Sequence, residues 1–321
     1  MTQKKKLSKR LLAFIISVFV VAVVLSAILI TNIFIPVKYL SAYLYVSTDK
    51  PQSGEMRISF IDVGDGDCTV IEFPDGKVAL LDGGNGSHSN QLKIFKKFNS
   101  SKISKIDYLI CASADKSRCG GLAEIVKYKT TEKIYAPIYS NTQVTQAYRD
   151  FRREVKNKNQ DITELAYGTI GVNEEYGYYF FALYPPKSLT AGESDKVRSS
   201  AIWISYGGVS VFLLGNLKTE ELLSLLDEYA INGFEINGHS VALEQCDIVK
   251  VADGGKESGK CSVFYDLIQA ETAIISTDSD PDFKVLSDVG NFAGDNIYRT
   301  DKDGTITLSI SNGSYTIKKE R

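Results

Sequence analysis

The chain runs to 321 residues, with 44% hydrophobic and 24% charged side chains, proportions that exclude a disordered or low-complexity protein. Five of the 37 Lys and Arg and none of the 39 Asp and Glu fall in residues 1–36. The remainder therefore holds 32 against 39, a net of −7 that argues against a general nucleic-acid binder.

The N-terminus departs from the rest. Residues 1–10 are basic, and the run from Leu11 to Pro36 is uncharged and mostly apolar. At ~1.5 Å rise per residue such a run spans a hydrocarbon core of ~30 Å. A cleaved signal peptide has an apolar region of only roughly 7–15 residues and a small-x-small cleavage site. This run is too long, and Ser26-Ala27 is a poor site, so residues 11–36 read as an uncleaved transmembrane signal anchor. Five cations precede it, whereas Lys38, Lys50 and Asp49 follow, which puts residues 1–10 in the cytoplasm. The expectation is a single-pass cell-membrane protein with an extracellular C-terminal domain.

Residues 37–54 read as a juxtamembrane linker, broken by Pro51, Ser53 and Gly54, with a folded domain over 55–321. MRISFIDV, CTVIEF and VALLDGG are predicted strands of an opening meander, separated by Gly64-Asp65-Gly66-Asp67 and Asp75-Gly76. SNQLKIFKKFN has Leu92, Phe95 and Phe98 at helical spacing, and is followed by strand DYLICA and a helix from Gly120. TQVTQAYRDFRREVKNK predicts a basic helix. EYGYYFFALYP and SAIWISYGGVSVFLLGN predict strands, the latter turning at Gly207-Gly208. TEELLSLLDEYAI predicts an amphipathic helix with Thr219 as N-cap. DIVKVA, TAIIST, TITLSIS and SYTIKK complete the strands. Two strand-rich halves with interspersed helices imply an α/β (α+β) domain with two face-to-face sheets, an αββα sandwich. The rival doubly wound fold lacks the hairpin-like beginning and end seen here.

The segment ISFIDVGDGDCTVIEFPDGKVALLDGG resembles the opening of the metallo-β-lactamase-like domain of ComEC-type competence proteins, and the likeness continues through KIDYLICASADKSRCGGLAEIV, SSAIWISYGGVSVFLLGN, DIVKVADGG and NIYRTDKDGTITLSIS. The resemblance covers Met56 to Tyr315 and implies a metallo-β-lactamase-type sandwich lying outside the membrane. In such hydrolases a Thr-His-x-His-x-Asp-His-x-Gly-Gly loop binds zinc, which lowers the pKa of its bound water to ~7 and supplies hydroxide. Ungapped alignment of LICASADKSRCGGL with that loop puts Ser113, Asp115, Ser117 and Arg118 at its ligand positions. Asn216 stands for the metal-bridging aspartate, and Asp253 falls in the turn that carries a further histidine. The resemblance thus implies a degenerate, non-catalytic member in which zinc is not expected. Arg118 and Asp253, whose positions share a metal in the family, are expected to pair instead.

Other residues have structural and functional readings. Asp62, Asp82 and the glycines beside them serve turns first. Asp62, Asp82, His88 in the polar loop GNGSHSN, and Lys116 are candidate cleft residues; His239, the only other histidine, matches no ligand position. Asp82, Asp115 and Asp253 offer oxygen ligands for Mg²⁺ or Ca²⁺, the basis of an alternative as a metal-dependent phosphoesterase-like hydrolase. Arg149, Arg152, Arg153, Lys156 and Lys158 give a second alternative, a nucleic-acid-handling accessory, against the bland reading of a solvated face. Tyr176, Tyr178, Tyr179, Phe180 and Phe181 suit strand packing. Five cysteines at irregular spacing, without paired Cys-x-x-Cys motifs, argue against structural zinc and allow at most two disulfides. Cys111 and Cys119 either pair or are buried singly. The favoured role is binding of a protein or small-molecule ligand through the old cleft.

Overall fold

The structure, a computed structural model, describes residues 9–34, 37–44, 49–139, 144–187 and 199–321. Helix α1, Lys9–Phe34, has a mean hydropathy of 3.1 in its apolar stretch and buries none of it against the rest of the chain. Twenty-six residues at ~1.5 Å each make it long enough to cross a bilayer. The last two residues of the predicted span, 35 and 36, lie outside the described residues.

The segment after α1 is not the plain linker expected. It forms a 3-10 turn, Val37–Tyr39, and a short helix α2, Leu40–Tyr43. Tyr39 is 3% exposed and stacks on Phe95, ring centroids 4.6 Å apart, while the Tyr43 carbonyl accepts from Asn99 Nδ2. The aromatic side chains explain the difference, because each covers apolar surface that would otherwise face water.

The first sheet has strands β1 Met56–Phe60, β2 Thr69–Glu72, β3 Val78–Leu81, β4 Lys105–Ile110, β5 Thr130–Ala136, β6 Thr163–Glu164, β16 Ile306–Ser311 and β17 Ser314–Lys319. Its order is β17-β16-β1-β2-β3-β4-β5-β6. The meander β1-β2-β3 is antiparallel as predicted, and β3 to β6 run parallel. The second sheet, in the order β15-β14-β13-β10-β9-β8-β7, contains β7 Gly168–Asn173, β8 Tyr178–Tyr184, β9 Ala201–Tyr206, β10 Val209–Leu213, β13 Ile248–Lys250, β14 Thr272–Ile275 and β15 Ile297–Arg299. A small hairpin joins β11 Phe234–Ile236 to β12 His239–Val241.

Every residue of β3 is buried because the sheet is covered on both faces. Between the sheets, Ile58, Phe60 and Leu308 pack with Phe180, Ile202 and Val211. Outside the first sheet lie α3 His88–Ser100, the single turn α4 Lys116–Cys119, α5 Leu122–Tyr128 and α6 Gln146–Asn157, whose Phe95, Cys119, Ile125 and Phe151 join Val70 and Leu80. Outside the second lie α7 Thr219–Asn232, α8 Ser262–Ile268 and α9 Phe283–Ala293, whose Leu225, Phe264 and Val285 meet Trp203 and Phe212. At about 1.5–3 kcal/mol per large buried side chain, these three apolar layers hold the αββα sandwich together. The arrangement is the one the resemblance implies.

Local signals set the helix ends. Ser87 accepts from the Asn90 amide at α3, and Thr145 from Tyr148 at α6, each satisfying an orphan donor. Thr219 does not cap α7. The helix begins at Thr219 itself, whose hydroxyl donates to the Lys260 carbonyl at 2.7 Å, while Glu221 accepts from the Lys218 amide. Thr219 is drawn to a neighbouring loop that the sequence does not place beside it.

Candidate functional site

Strands β1, β3 and β4 point one way in the first sheet, and β10, β13 and β14 run parallel to each other in the second. The loops leaving them meet at one end of the sandwich. Two glycines allow the approach. A Cβ on Gly66, at φ 143°, would lie 2.1 Å from the Ser117 carbonyl oxygen, and one on Gly121 would lie 2.2 Å from that of Gly83. The Asp67 amide donates to Ser117 and the Gly83 amide to Arg118, tying the first loops together.

At the centre is Asp67, 2% exposed. Arg118 Nε approaches its Oδ2 at 2.9 Å, without the alignment of a hydrogen bond, and Lys250 Nζ contacts Oδ1. Both cations are as buried as the carboxylate they share. Burial pushes the Asp67 carboxyl up, but Arg118 and then Lys250 outweigh it and hold it below the ordinary range. Burial lowers the Lys250 ammonium despite Asp67. Asp82, held at φ 61°, accepts from the Ala112 amide at 2.8 Å through Oδ1, while Oδ2 is buried without a partner. Desolvation raises its pKa to about 7, against the pull of Arg118.

The matched positions join this cluster unequally. Asn216 Oδ1 accepts from Arg118 Nη2 at 3.3 Å, and its amide nitrogen donates to Asp115 at 2.6 Å. Asp253 is 4% exposed and pairs with Lys218 at 2.5 Å; Ser258 also donates to it. The direct Arg118–Asp253 pair expected from the shared metal is therefore not formed. Asp67 is buried beside Arg118 and leaves that guanidinium committed, whereas Lys218 reaches Asp253 from the other wall. Ser113 is buried and accepts from the Asp115 amide, and Ser117 contributes its backbone carbonyl.

The other candidates lie away from the cluster. Asp62 pairs with Lys93 at 3.0 Å and Arg321 at 2.9 Å on the outside. His88 begins α3 and stacks on Tyr39 at 5.5 Å; exposed Lys116 lines a surface hollow with both residues. His239 lies over Tyr179, centroids 3.8 Å apart, and pairs with Glu174. Helix α6 buries Tyr148, Phe151 and Val155 and turns its arginines outward, with Arg153 on Asp150 at 2.8 Å. All five cysteines are free and buried; Cys111 and Cys119 are unbridged neighbours whose sulfurs also face the carbonyls of Ser113 and Ala114.

Asp67, Lys218 and Lys250 are the members of the buried ion pairs that sequence reasoning passed over. Asp67 reads as one more turn carboxylate. The signal for Lys250 is a single cation inside the apolar run Ile248–Val251, where a strand buried on both faces has no solvent for it.

The donor set does not fit the zinc of the resembling hydrolases. No matched position offers imidazole or thiolate, and Arg118, Lys218 and Lys250 already neutralise the acids. Among the described residues no three His, Cys, Asp or Glu side chains are grouped to hold a metal ion.

The fold is a metallo-β-lactamase-type sandwich. That assignment stands on the two sheets, their strand order and their outer helices. No family model and no curated protein matches the sequence. Among solved structures, the chain is similar to the metallo-β-lactamase fold protein YhfI from Bacillus subtilis at 10% identity and a TM-score of 0.49, covering 82% of this chain and 100% of that one. It is also similar to a diphosphatase from the PhnP family, at 12% identity, 79% and 97% coverage and a TM-score of 0.42. Human tRNase Z, short form, gives 14%, 69% and 92%, and 0.40.

Proposed function

We propose that this protein is a membrane-anchored, outward-facing, ComEC-like domain that binds a small-molecule ligand or protein partner through the old cleft and does not hydrolyse it. The observation that carries this reading is the Asp67–Arg118–Lys250 cluster. Two buried cations share one carboxylate where the resembling enzymes concentrate anionic and imidazole ligands, so a dication entering there would meet like charge in a low-dielectric site. Asp115 and Asp253 are already engaged and Asp82 has only Oδ2 unpartnered, and among the described residues no three such side chains are grouped as a rebuilt carboxylate site needs.

The full chain, purified in detergent and dialysed extensively, is expected to fold with substoichiometric zinc and to show no chelator-sensitive phosphodiesterase activity. Near-stoichiometric zinc lost together with activity on chelation would overturn the reading. The anchor is tested separately. Helix α1 and the five cations before its apolar run support an inward N-terminus. Protease added to intact cells is expected to digest the sandwich, and its protection until lysis would reject this topology.

A further inference from the structure

A second cavity, of about 410 Å³, lies between α3 and the β16–β17 edge of the first sheet. Lys93, Lys96 and Lys97 sit at i, i+3 and i+4 on α3, the spacing that places them on one face. Across from them are Lys318 and Lys319 of β17. Strand β16 turns Ile306, Leu308 and Ile310 into the inter-sheet core, so the alternating Thr307 faces outward, and Lys318 is opposite it in the register. Five ammonium groups lie on the lining with Asp49 and Glu320, and three of the five are paired with acids just outside it.

Ion pairs fix part of the rim. Lys93 is held by Asp62 at 3.0 Å, Lys97 by Glu72 at 2.9 Å and Lys319 by Asp303 at 2.8 Å. Lys318 makes no ion pair among the described residues. The Thr305 hydroxyl oxygen accepts from the Asp62 amide, which leaves its proton to donate into the cavity. Lysines on an edge strand can simply guard against edge-to-edge pairing. That role does not account for three more on the facing helix.

We propose that this trough binds a phosphate group, as a phosphomonoester or phosphodiester. The ammonium groups supply charge and the Thr305 hydroxyl donates a hydrogen bond, as does that of Thr307 when Ser59 Oγ, 3.5 Å away, is the donor between those two, a combination suited to tetrahedral oxyanions. The ligand is either a soluble phosphorylated molecule or a lipid headgroup of the bilayer that α1 would enter. The site is separate from the cleft and does not depend on the reading given to it.

The test uses the full chain in phosphatidylcholine nanodiscs, titrated with inorganic pyrophosphate while the unfolding temperature is followed. A second set of discs contains phosphatidylglycerol and no pyrophosphate. The K96Q/K318Q variant is carried through both, and its unfolding temperature in phosphatidylcholine discs without pyrophosphate checks that it folds. A salt-sensitive rise with pyrophosphate, its midpoint weakened roughly tenfold or more in the variant, supports the site with a soluble ligand. A rise in the phosphatidylglycerol discs that the variant lacks supports it with a lipid headgroup. No rise in either set, or an equal rise in a folded variant, overturns the proposal.

Discussion

Replacing Asp67 by Asn is expected to lower the stability of the sandwich by ~3–5 kcal/mol, the usual cost of removing one partner from a buried charge cluster. The carboxylate is the anion directly between Arg118 and Lys250, and Asn leaves both cations buried beside an amide. Lys250→Met should cost less, because Arg118 still neutralises Asp67 and the methionine suits the apolar strand. Replacing the whole cluster by apolar residues of similar volume should recover much of the loss. Urea unfolding of the full chain in detergent, followed by the fluorescence of its single tryptophan, Trp203, reads these differences. An Asp67→Asn variant that unfolds at the wild-type urea concentration would show the cluster to be inert.

The second large effect is a dependence on pH at Asp82. Its folded pKa of about 7 lies above the ordinary 3.8, so the native state keeps this proton longer than the unfolded chain does. The associated stability is fully present below about 3.8 and is lost as pH rises through about 7. The displacement corresponds to roughly 4 kcal/mol at most, at 1.36 kcal/mol per pH unit. Asn at this position keeps an oxygen for the Ala112 amide, tolerates the positive φ and carries no charge. Asp82→Asn should therefore be more stable than the wild type at pH 8 and converge with it near pH 4. Other acids, including Asp67 and Asp303, have lowered pKa values and lose stability in acid in both proteins, so the difference between the two curves is the informative quantity. Parallel curves from pH 4 to 8 would show that Asp82 is not raised.

Much of the fold was legible because its signals are local. The meander from Met56 to Leu81 is marked by turn residues, the β9–β10 hairpin by Gly207-Gly208, and α3 by the spacing of Leu92, Phe95 and Phe98. Strand β5 was not legible, since Glu132 and Lys133 interrupt its apolar pattern and its support comes from parallel pairing with β4. Ser113, Asp115, Arg118, Asn216 and Asp253 could be named as matched positions in the sequence, and the structure brings Asp115, Arg118 and Asn216 into one hydrogen-bonded chain. Which acid meets which cation was not legible. The choice of Asp67 over Asp253 for Arg118 depends on loops far apart in the chain, since the two carboxylates are almost equally buried. The alternation rule that predicts a strand also hid Lys250, because one lysine in an apolar strand leaves the strand prediction unchanged.

The packing of Tyr39 against Phe95 has a consequence for encounter with partners. Tyr39 lies only five residues beyond the last residue of α1, and at ~3.8 Å per residue those steps reach at most ~19 Å. In a chain anchored as proposed, the sandwich cannot sweep a wide volume on a loose leash. It travels laterally as a low-standing body that meets other membrane-bound molecules by two-dimensional diffusion, and a distant soluble partner must come to the bilayer to reach it.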